Sequence, residues 1–288
     1  MTISKIIPPI HIHPILFVFI IISFLTGTFV EMFIILGIVL FHELGHYIAA
    51  AYFKWRINKV MLWIFGGVMD TDEHGNRPVM EEIIVTIAGP FQHVIIYLFV
   101  YIGSYLTIIP PSIMDTVFIY NTTILIFNLL PIWPLDGGKL LFFLISKKFS
   151  FQKAYHMIII TSMILCLVMM IIQILFYPFT LSAFLIMVFL LIENRSEWKN
   201  RHYVFIRFLL SRYNGSNWIK SIRPIIVPSH SSLMEVFSQF KRDVKHSIYI
   251  QMPNNTRLAI DETECLKTYF YDKSYHKTIG EVAKITTL

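Results

Sequence analysis

The sequence has 288 residues, of which 56% are hydrophobic and 15% charged, and its mean hydropathy is +0.64. Soluble domains are about 45–50% apolar and about 25% charged. These values exclude an ordinary soluble globule and a disordered chain, and they indicate a polytopic membrane protein. The two cysteines, Cys166 and Cys265, are far apart in the sequence, which argues against a disulfide framework and against a cysteine-rich zinc site.

Charge divides the chain near residue 193. Residues 1–193 carry 9 Lys and Arg against 10 Asp and Glu, whereas residues 194–288 carry 15 against 8. The apolar runs stop at the same place. We therefore predict a membrane domain over 1–193, a basic juxtamembrane linker over 194–223 and a cytosolic domain over 224–288. The linker indicates contact with anionic lipid headgroups. Direct nucleic-acid binding has less support, because no groove-reading motif accompanies the charge.

Apolar runs long enough, or nearly long enough, to cross a bilayer predict six transmembrane helices. They lie at about 14–30, 32–53, 83–106, 116–131, 157–176 and 177–192. Lys and Arg concentrate in the 54–80 loop, the 139–153 loop and the tail, whereas the 107–115 loop has neither. The positive-inside rule then places both termini and the two basic loops in the cytosol.

The second apolar run contains His42-Glu43-Leu44-Gly45-His46. Two histidines at i and i+4 lie on one face of a helix, so both rings can bind one metal ion. Glu43 follows the first histidine and is placed to take a proton from a metal-activated water. The alternative is a pair of interfacial histidines beside a stray glutamate. A carboxylate inside a span costs ~2.5–3.5 kcal/mol on insertion scales, which argues for a functional role.

A catalytic zinc needs a third protein ligand, and Asp136 is the best candidate. It lies in the segment Asn128-Leu129-Leu130-Pro131-Ile132-Trp133-Pro134-Leu135-Asp136-Gly137-Gly138. This segment and the second span both reach the cytosolic leaflet in the predicted topology. Prolines and glycines interrupt the helix there, and such backbone is tolerated at membrane depth only where it lines a buried or wet cavity. The alternative is a solvated aspartate in a loop that leaves the membrane.

Further residues are candidates for a substrate cleft. The stretch 60–72 has two apolar arms around Gly66-Gly67 and predicts a hairpin that also includes Phe65. Its edge could align an extended substrate by strand addition, and the alternative is an interfacial anchor. Asn128 could donate a hydrogen bond to the oxyanion, to substrate backbone or between helices. His93, inside the third span, is expected to be packed and hydrogen-bonded.

The HExxH sequence in one span and Asn-x-x-Pro-x-x-Pro-Leu-Asp-Gly in a later one resemble the site-2 protease family of intramembrane zinc metalloproteases, most closely its sporulation branch. This resemblance implies one zinc ion per chain, bound by His42, His46 and Asp136, with Glu43 as the catalytic base. It also implies that Asn128 and Pro134 shape the substrate cleft. The sporulation branch cleaves pro-sigma-K at the outer forespore membrane, facing the mother cell, and two membrane-embedded partners hold it inactive.

The tail predicts the element order β-α-β-β-α, with Ser232-x-x-Glu235 as a capping box. This order resembles a single cystathionine-β-synthase (CBS) motif. The resemblance implies pairing between chains, hence a homo-oligomer, and ATP binding; the alternative is an ordinary docking domain.

The predicted function is that of a zinc endopeptidase that cleaves a membrane-associated protein near the cytosolic face. One rival is a site-2 protease that cuts a transmembrane anti-sigma factor. The other is a non-hydrolytic metal-binding transporter or scaffold. A transporter should carry ionisable groups along a path across the bilayer, whereas these cluster in one leaflet.

Overall fold

A computed structural model of the chain describes residues 10–12, 14–63, 66–71, 75, 77–106, 109–215, 221–252 and 256–286. The elements in chain order are β1 (Ile10–Ile12), α1 (Pro14–Thr26), α2 (Phe29–Tyr52), β2 (Ile57–Trp63), β3 (Gly66–Thr71), α3 (Val79–Leu106), α4 (Pro111–Asn128), α5 (Asp136–Lys148), α6 (Phe151–Phe176), α7 (Leu181–Tyr213), β4 (Ser221–Pro228), α8 (Leu233–Phe237), β5 (Val244–Gln251), β6 (Arg257–Asp261), α9 (Glu262–Phe270) and α10 (Ile279–Thr286). The chain divides into two compact units, Met1–His74 with Met80–Leu140, and Gly75–Val79 with Leu141–Leu288.

Three helices of the described residues are long and apolar enough to cross a membrane: α2, α3 and α6. Each runs for 24 residues or more, whereas about 20 apolar residues span the hydrocarbon core. Helices α1, α4 and α7 overlap the other three predicted spans. The chain is therefore an integral membrane protein, and the number of six spans stays a prediction.

The first unit contains a three-stranded sheet of order β1-β2-β3, in which β1 is parallel and β3 antiparallel to β2. The predicted hairpin is present, but its turn is not at the glycines. Trp63 pairs with Gly66 and Leu62 with Gly67, so both glycines belong to β3. The residues that connect the two strands, Phe65 among them, lie outside the described residues.

Helix α2 is held against this sheet by a small apolar cluster. Ala50, Trp55 and Val85 are buried, and Met69 of β3 packs against them. The Trp55 indole also donates a 3.2 Å hydrogen bond to the Glu81 carboxylate on α3. These contacts fix the cytosolic end predicted for α2 relative to β3 and α3.

The second unit contains α6 packed along α7 and a sheet of order β4-β5-β6. Strand β4 is parallel to β5, and β6 is antiparallel to it. With α8 and α9, the elements follow the predicted β-α-β-β-α order. Ser232 and Glu235 form the predicted capping box. The sequence did not predict α10.

The predicted boundary after residue 193 falls inside α7, which continues without a break to Tyr213. Residues 194–213 are therefore helical, and the segment predicted as a linker is not a separate loop over this length. Arg212, counted in that segment for headgroup contact, has only 6% of its side chain exposed. It is buried in an ion pair and does not contribute to a basic surface.

The loop from Phe240 to Asp243 supplies partners to main-chain groups at the ends of other helices. The Phe240 carbonyl accepts a 2.9 Å hydrogen bond from the backbone N–H of Phe151, the first residue of α6. The Asp243 carboxylate accepts a 3.2 Å hydrogen bond from the backbone N–H of Val79, the first residue of α3. Helix ends leave such groups without partners inside the helix. Helix α8 ends at Phe237, before this loop, although the sequence favours a helix from Ser232 to about Arg242.

A buried polar network joins the end of α7 to the start of α9. Arg212 donates to both carboxylate oxygens of Glu262, from Nε at 2.5 Å and from Nη2 at 3.0 Å. The backbone N–H of His246 donates to the same carboxylate at 2.9 Å. Burial alone would raise the pKa of Glu262, but the His246 hydrogen bonds and the Arg212 charge outweigh it and lower the pKa. The carboxylate therefore stays ionised in the folded chain.

We expect Glu262→Gln to destabilise the second unit by about 3–5 kcal/mol, because it leaves the Arg212 charge buried without its counter-ion. Because the folded pKa of Glu262 lies below the ordinary value of 4.5, its contribution is present above pH 4.5 and is lost as the pH falls through the folded pKa. Thermal unfolding of the full chain between pH 3 and 7 measures both effects.

The control is Lys245→Gln, because Lys245 pairs with Asp261 at 2.7 Å but both side chains are partly exposed. Such a pair contributes about 0–1 kcal/mol. Equal stability losses in the two variants would contradict the role given to Glu262.

Candidate metal centre

Helix α2 presents His42, Glu43 and His46, all three of which are buried. The four-residue spacing puts both imidazoles on one face, and their Nε2 atoms lie 3.0 Å apart. The His46 Nδ1 is 2.7 Å from the Val85 carbonyl oxygen. A carbonyl only accepts, so this nitrogen carries the proton and the lone pair of His46 is on Nε2.

Asp136 reaches the histidines from the first turn of α5. The segment between α4 and α5 is compact and contains a cis peptide bond between Trp133 and Pro134. A Cβ on Gly137 would lie 2.1 Å from the Leu129 carbonyl oxygen. Only glycine therefore allows the start of α5 to pack this closely against the end of α4. The two elements that carry the predicted motifs are thus brought together.

The three predicted ligands converge on one point. Asp136 Oδ2 lies 3.2 Å from the Nε2 of His42 and 3.2 Å from the Nε2 of His46. Two ligand atoms bound to zinc at about 2.0–2.1 Å with tetrahedral angles are about 3.3 Å apart. Asp136 Oδ2 is buried and makes no hydrogen bond within the described part of the chain. Two nitrogens and one carboxylate oxygen in this arrangement fit a zinc ion with an open fourth position.

Gly89 of α3 closes one side of the cluster. A Cβ on this residue would lie 2.2 Å from His46 Nε2 and 2.8 Å from His42 Cε1. Gly89 is not among the site residues predicted from the sequence. Its position in Ala88-Gly89-Pro90, within an apolar helix, was the available signal, because a glycine there marks close approach.

His93 is fully buried on α3, as predicted, and contacts the metal centre directly. Its Nε2 lies 3.0 Å from His42 Nδ1, and its Nδ1 lies 2.7 Å from Asn121 Oδ1 on α4. Lys139 Nζ lies 3.4 Å from the other oxygen of Asp136. Each ligand thus has a neighbour that orients it, as ligands of protein metal sites generally do.

The predicted cleft residues lie on α4, on the loop before α5 and on β3. Asn128 is the last residue of α4, and its amide donates a 3.0 Å hydrogen bond to the Ile124 carbonyl of the same helix. Pro134 lies in the loop immediately before Asp136. Gly66 and Gly67 lie in β3, which packs against α2. Their predicted contact with substrate stays a prediction.

Comparisons with known proteins agree with this geometry. The sequence profile of peptidase family M50 matches residues 30–113 and 106–170. Stage IV sporulation protein FB of Bacillus subtilis is 40% identical over 274 residues, covering 95% of each chain. A zinc metalloprotease of Methanocaldococcus jannaschii is 31% identical over 174 residues, which are 59% of this chain and 49% of that protein. The solved structure of the site-2 protease from Methanocaldococcus jannaschii matches with a TM-score of 0.53 at 28% identity, covering 65% of this chain and 89% of that one.

Apolar membrane helices around a buried His-His-Asp cluster define a membrane-embedded metalloprotease. The chain belongs to peptidase family M50, the site-2 protease family. It is a zinc metalloendopeptidase, and its substrates are proteins.

We expect Gly89→Ala to lower zinc content and proteolytic activity at least tenfold, because the new methyl group would displace the imidazoles of His42 and His46. Metal analysis of the purified protein measures the first effect. Gly37→Ala on α2 is the matched control, since a Cβ there meets nothing within 4 Å. Full zinc occupancy in Gly89→Ala would show that the helices separate without disturbing the ligands.

Proposed function

We propose that this protease removes the pro-sequence of pro-sigma-K during sporulation, by cleavage near the cytosolic face of the membrane. The observation that carries the chemistry is that Asp136 of α5 converges on His42 and His46, which lie beside Glu43 in a helix long enough to span the bilayer. The substrate assignment is supported by 40% identity over 95% of the chain to Stage IV sporulation protein FB.

In this proposal His42, His46 and Asp136 hold one zinc ion. When bound, zinc polarises the scissile carbonyl and makes water a stronger nucleophile near neutral pH. Glu43 accepts the proton of the attacking water and then delivers it to the amide nitrogen that leaves. Peptide hydrolysis thus consumes one water and yields a carboxylate and an amine.

The cleft around this centre is proposed to align the substrate. Edge strand β3 packs against α2, so an extended peptide added to β3 would lie beside the metal ligands. Gly66 and Gly67 in β3 would permit close backbone approach, and Phe65 is proposed to contact substrate beside them. Asn128 and Pro134 would shape the other wall.

The topology and domain roles are likewise proposals. Residues 1–193 form the protease domain, with both termini and the 139–153 segment in the cytosol. The structure folds that segment as the greater part of α5 and the start of α6 and not as the predicted loop. The location is the outer forespore membrane, where two membrane-embedded partners inhibit the enzyme. The exposed basic residues of 194–223 contact anionic headgroups.

A transmembrane anti-sigma factor is the alternative substrate, and transport or scaffolding without hydrolysis is disfavoured by the placement of Glu43.

Glu43→Gln should retain zinc and lower cleavage by about 10²–10⁴-fold, because only the proton acceptor is lost. Asp136→Asn should lower both zinc content and cleavage, because a charged ligand becomes neutral. The assay is co-expression with pro-sigma-K, scored by the shortened product and paired with metal analysis of the purified protein.

Processing by Glu43→Gln at the wild-type rate would refute the mechanism, and unchanged zinc content in Asp136→Asn would remove Asp136 as a ligand. A transmembrane anti-sigma factor co-expressed in parallel tests the alternative substrate. Cleavage of that protein and not of pro-sigma-K would contradict the substrate assignment.

The tail 224–288 is proposed to act as a CBS-like domain that pairs between chains and binds ATP. Support comes from its element order and from the parallel β4-β5 pair. We expect ATP, and not GTP, to change the rate at which the purified full-length enzyme cleaves substrate. Identical rates with ATP, with GTP and without nucleotide would contradict nucleotide regulation.

A further inference from the structure

His93 lies between a ligand of the metal centre and a buried amide. It is fully buried on α3, with His42 of α2 on one side of its ring and Asn121 of α4 on the other. We propose that His93 is a positioning residue, held by Asn121, which fixes His42 in the tautomer whose Nε2 lone pair faces the metal. This inference rests on the proposed role of His42 as a zinc ligand.

The Asn121 amide determines which atoms donate and which accept in these hydrogen bonds. Its Nδ2 donates to the backbone carbonyl of His93 at 3.2 Å, and only the amide nitrogen can do so. The amide oxygen therefore faces the ring, where it lies 2.7 Å from His93 Nδ1. Because an oxygen of this type only accepts, His93 Nδ1 carries the proton.

The chain of hydrogen bonds continues from His93 to His42 of the metal centre. A neutral imidazole with its proton on Nδ1 has a lone pair on Nε2. His93 Nε2 is 3.0 Å from His42 Nδ1, so His42 donates this hydrogen bond. The remaining nitrogen of His42, Nε2, is then unprotonated, and it is the atom that lies 3.2 Å from Asp136 Oδ2. The contacts from α4 and α3 thus determine the tautomer of His42 on α2.

The two histidine ligands differ in what orients them. His46 donates to a backbone carbonyl, that of Val85, which no side-chain substitution removes. His42 depends on the His93 side chain. Outer partners of metal ligands typically contribute 10–100-fold to metal affinity or activity. The zinc site should therefore be sensitive to substitution at residue 93 through His42.

Two substitutions separate positioning from packing. In His93→Gln the amide oxygen can occupy the place of ring Nε2 and accept from His42 Nδ1, because the glutamine chain reaches that far. In His93→Asn the shorter amide can occupy the place of ring Nδ1 and contact Asn121, but it leaves His42 without an acceptor. Both variants are polar and smaller than histidine.

The experiment measures zinc affinity of purified full-length protein by competition with a chromogenic chelator, with thermal unfolding recorded for each variant. We expect His93→Asn to weaken zinc binding about 10–100-fold and His93→Gln to restore most of the affinity. Asn121→Leu should weaken binding in the same direction, since it removes the group that orients His93. These three results together would support the proposal.

Wild-type zinc affinity in His93→Asn would overturn it. Equal losses in His93→Asn and His93→Gln, accompanied by equal losses of thermal stability, would also overturn it in favour of packing. His42→Ala serves as the reference. Zinc retained in His42→Ala would refute the proposed ligand set itself, whereas zinc lost there but unchanged in His93→Asn would refute the positioning role alone.

Discussion

Three ligand groups buried within about 3.2 Å of one another are the arrangement on which the rest of the first unit depends. Two imidazoles and a carboxylate in an apolar helix bundle are costly to bury unless their lone pairs and charge are satisfied. A zinc ion satisfies all three at once, and its small size requires the ligands to stay close. This requirement explains why a glycine, Gly89, faces the centre from α3.

The second unit satisfies a buried charge in a different way. Arg212 and Glu262 neutralise each other through two hydrogen bonds, and the His246 backbone completes the carboxylate's partners. Both oxygens of the Glu262 carboxylate accept hydrogen bonds, so this cluster is structural. Asp136 Oδ2, in contrast, makes no hydrogen bond within the described part of the chain. In a stabilising cluster each acceptor has a hydrogen-bond donor. In a candidate metal site several lone pairs point at the same place and have no donor between them.

The sequence allowed the metal centre to be predicted because its chemistry is encoded locally. The i, i+4 histidines need only a helix, and the Pro/Gly-rich segment before Asp136 marks broken backbone at membrane depth. Other features depend on contacts between residues far apart in the chain. The Asp243 cap on Val79 joins residues 164 apart, and the pairing of β1 with β2 joins Ile10 to Val60. No local pattern signals either.

Two predictions made from charge and composition differ from the structure, because they too depend on contacts between distant residues. Arg212 was counted as part of a basic surface, but its partner Glu262 lies 50 residues further along the chain. The end of the apolar run at residue 193 predicted a change of structure, yet α7 continues to Tyr213, because Phe205, Phe208 and Leu209 give its later turns a buried apolar face. Composition thus indicated where the chemical environment changes and not where the helix ends.

The most direct test of this account is X-ray absorption spectroscopy at the zinc edge of the purified full-length enzyme. A first shell of two imidazole nitrogens at about 2.0–2.1 Å and oxygen ligands at about 2.0–2.2 Å is expected, with four ligands in all. A sulfur shell at about 2.3 Å, or the absence of imidazole scattering, would contradict a centre built from His42, His46 and Asp136.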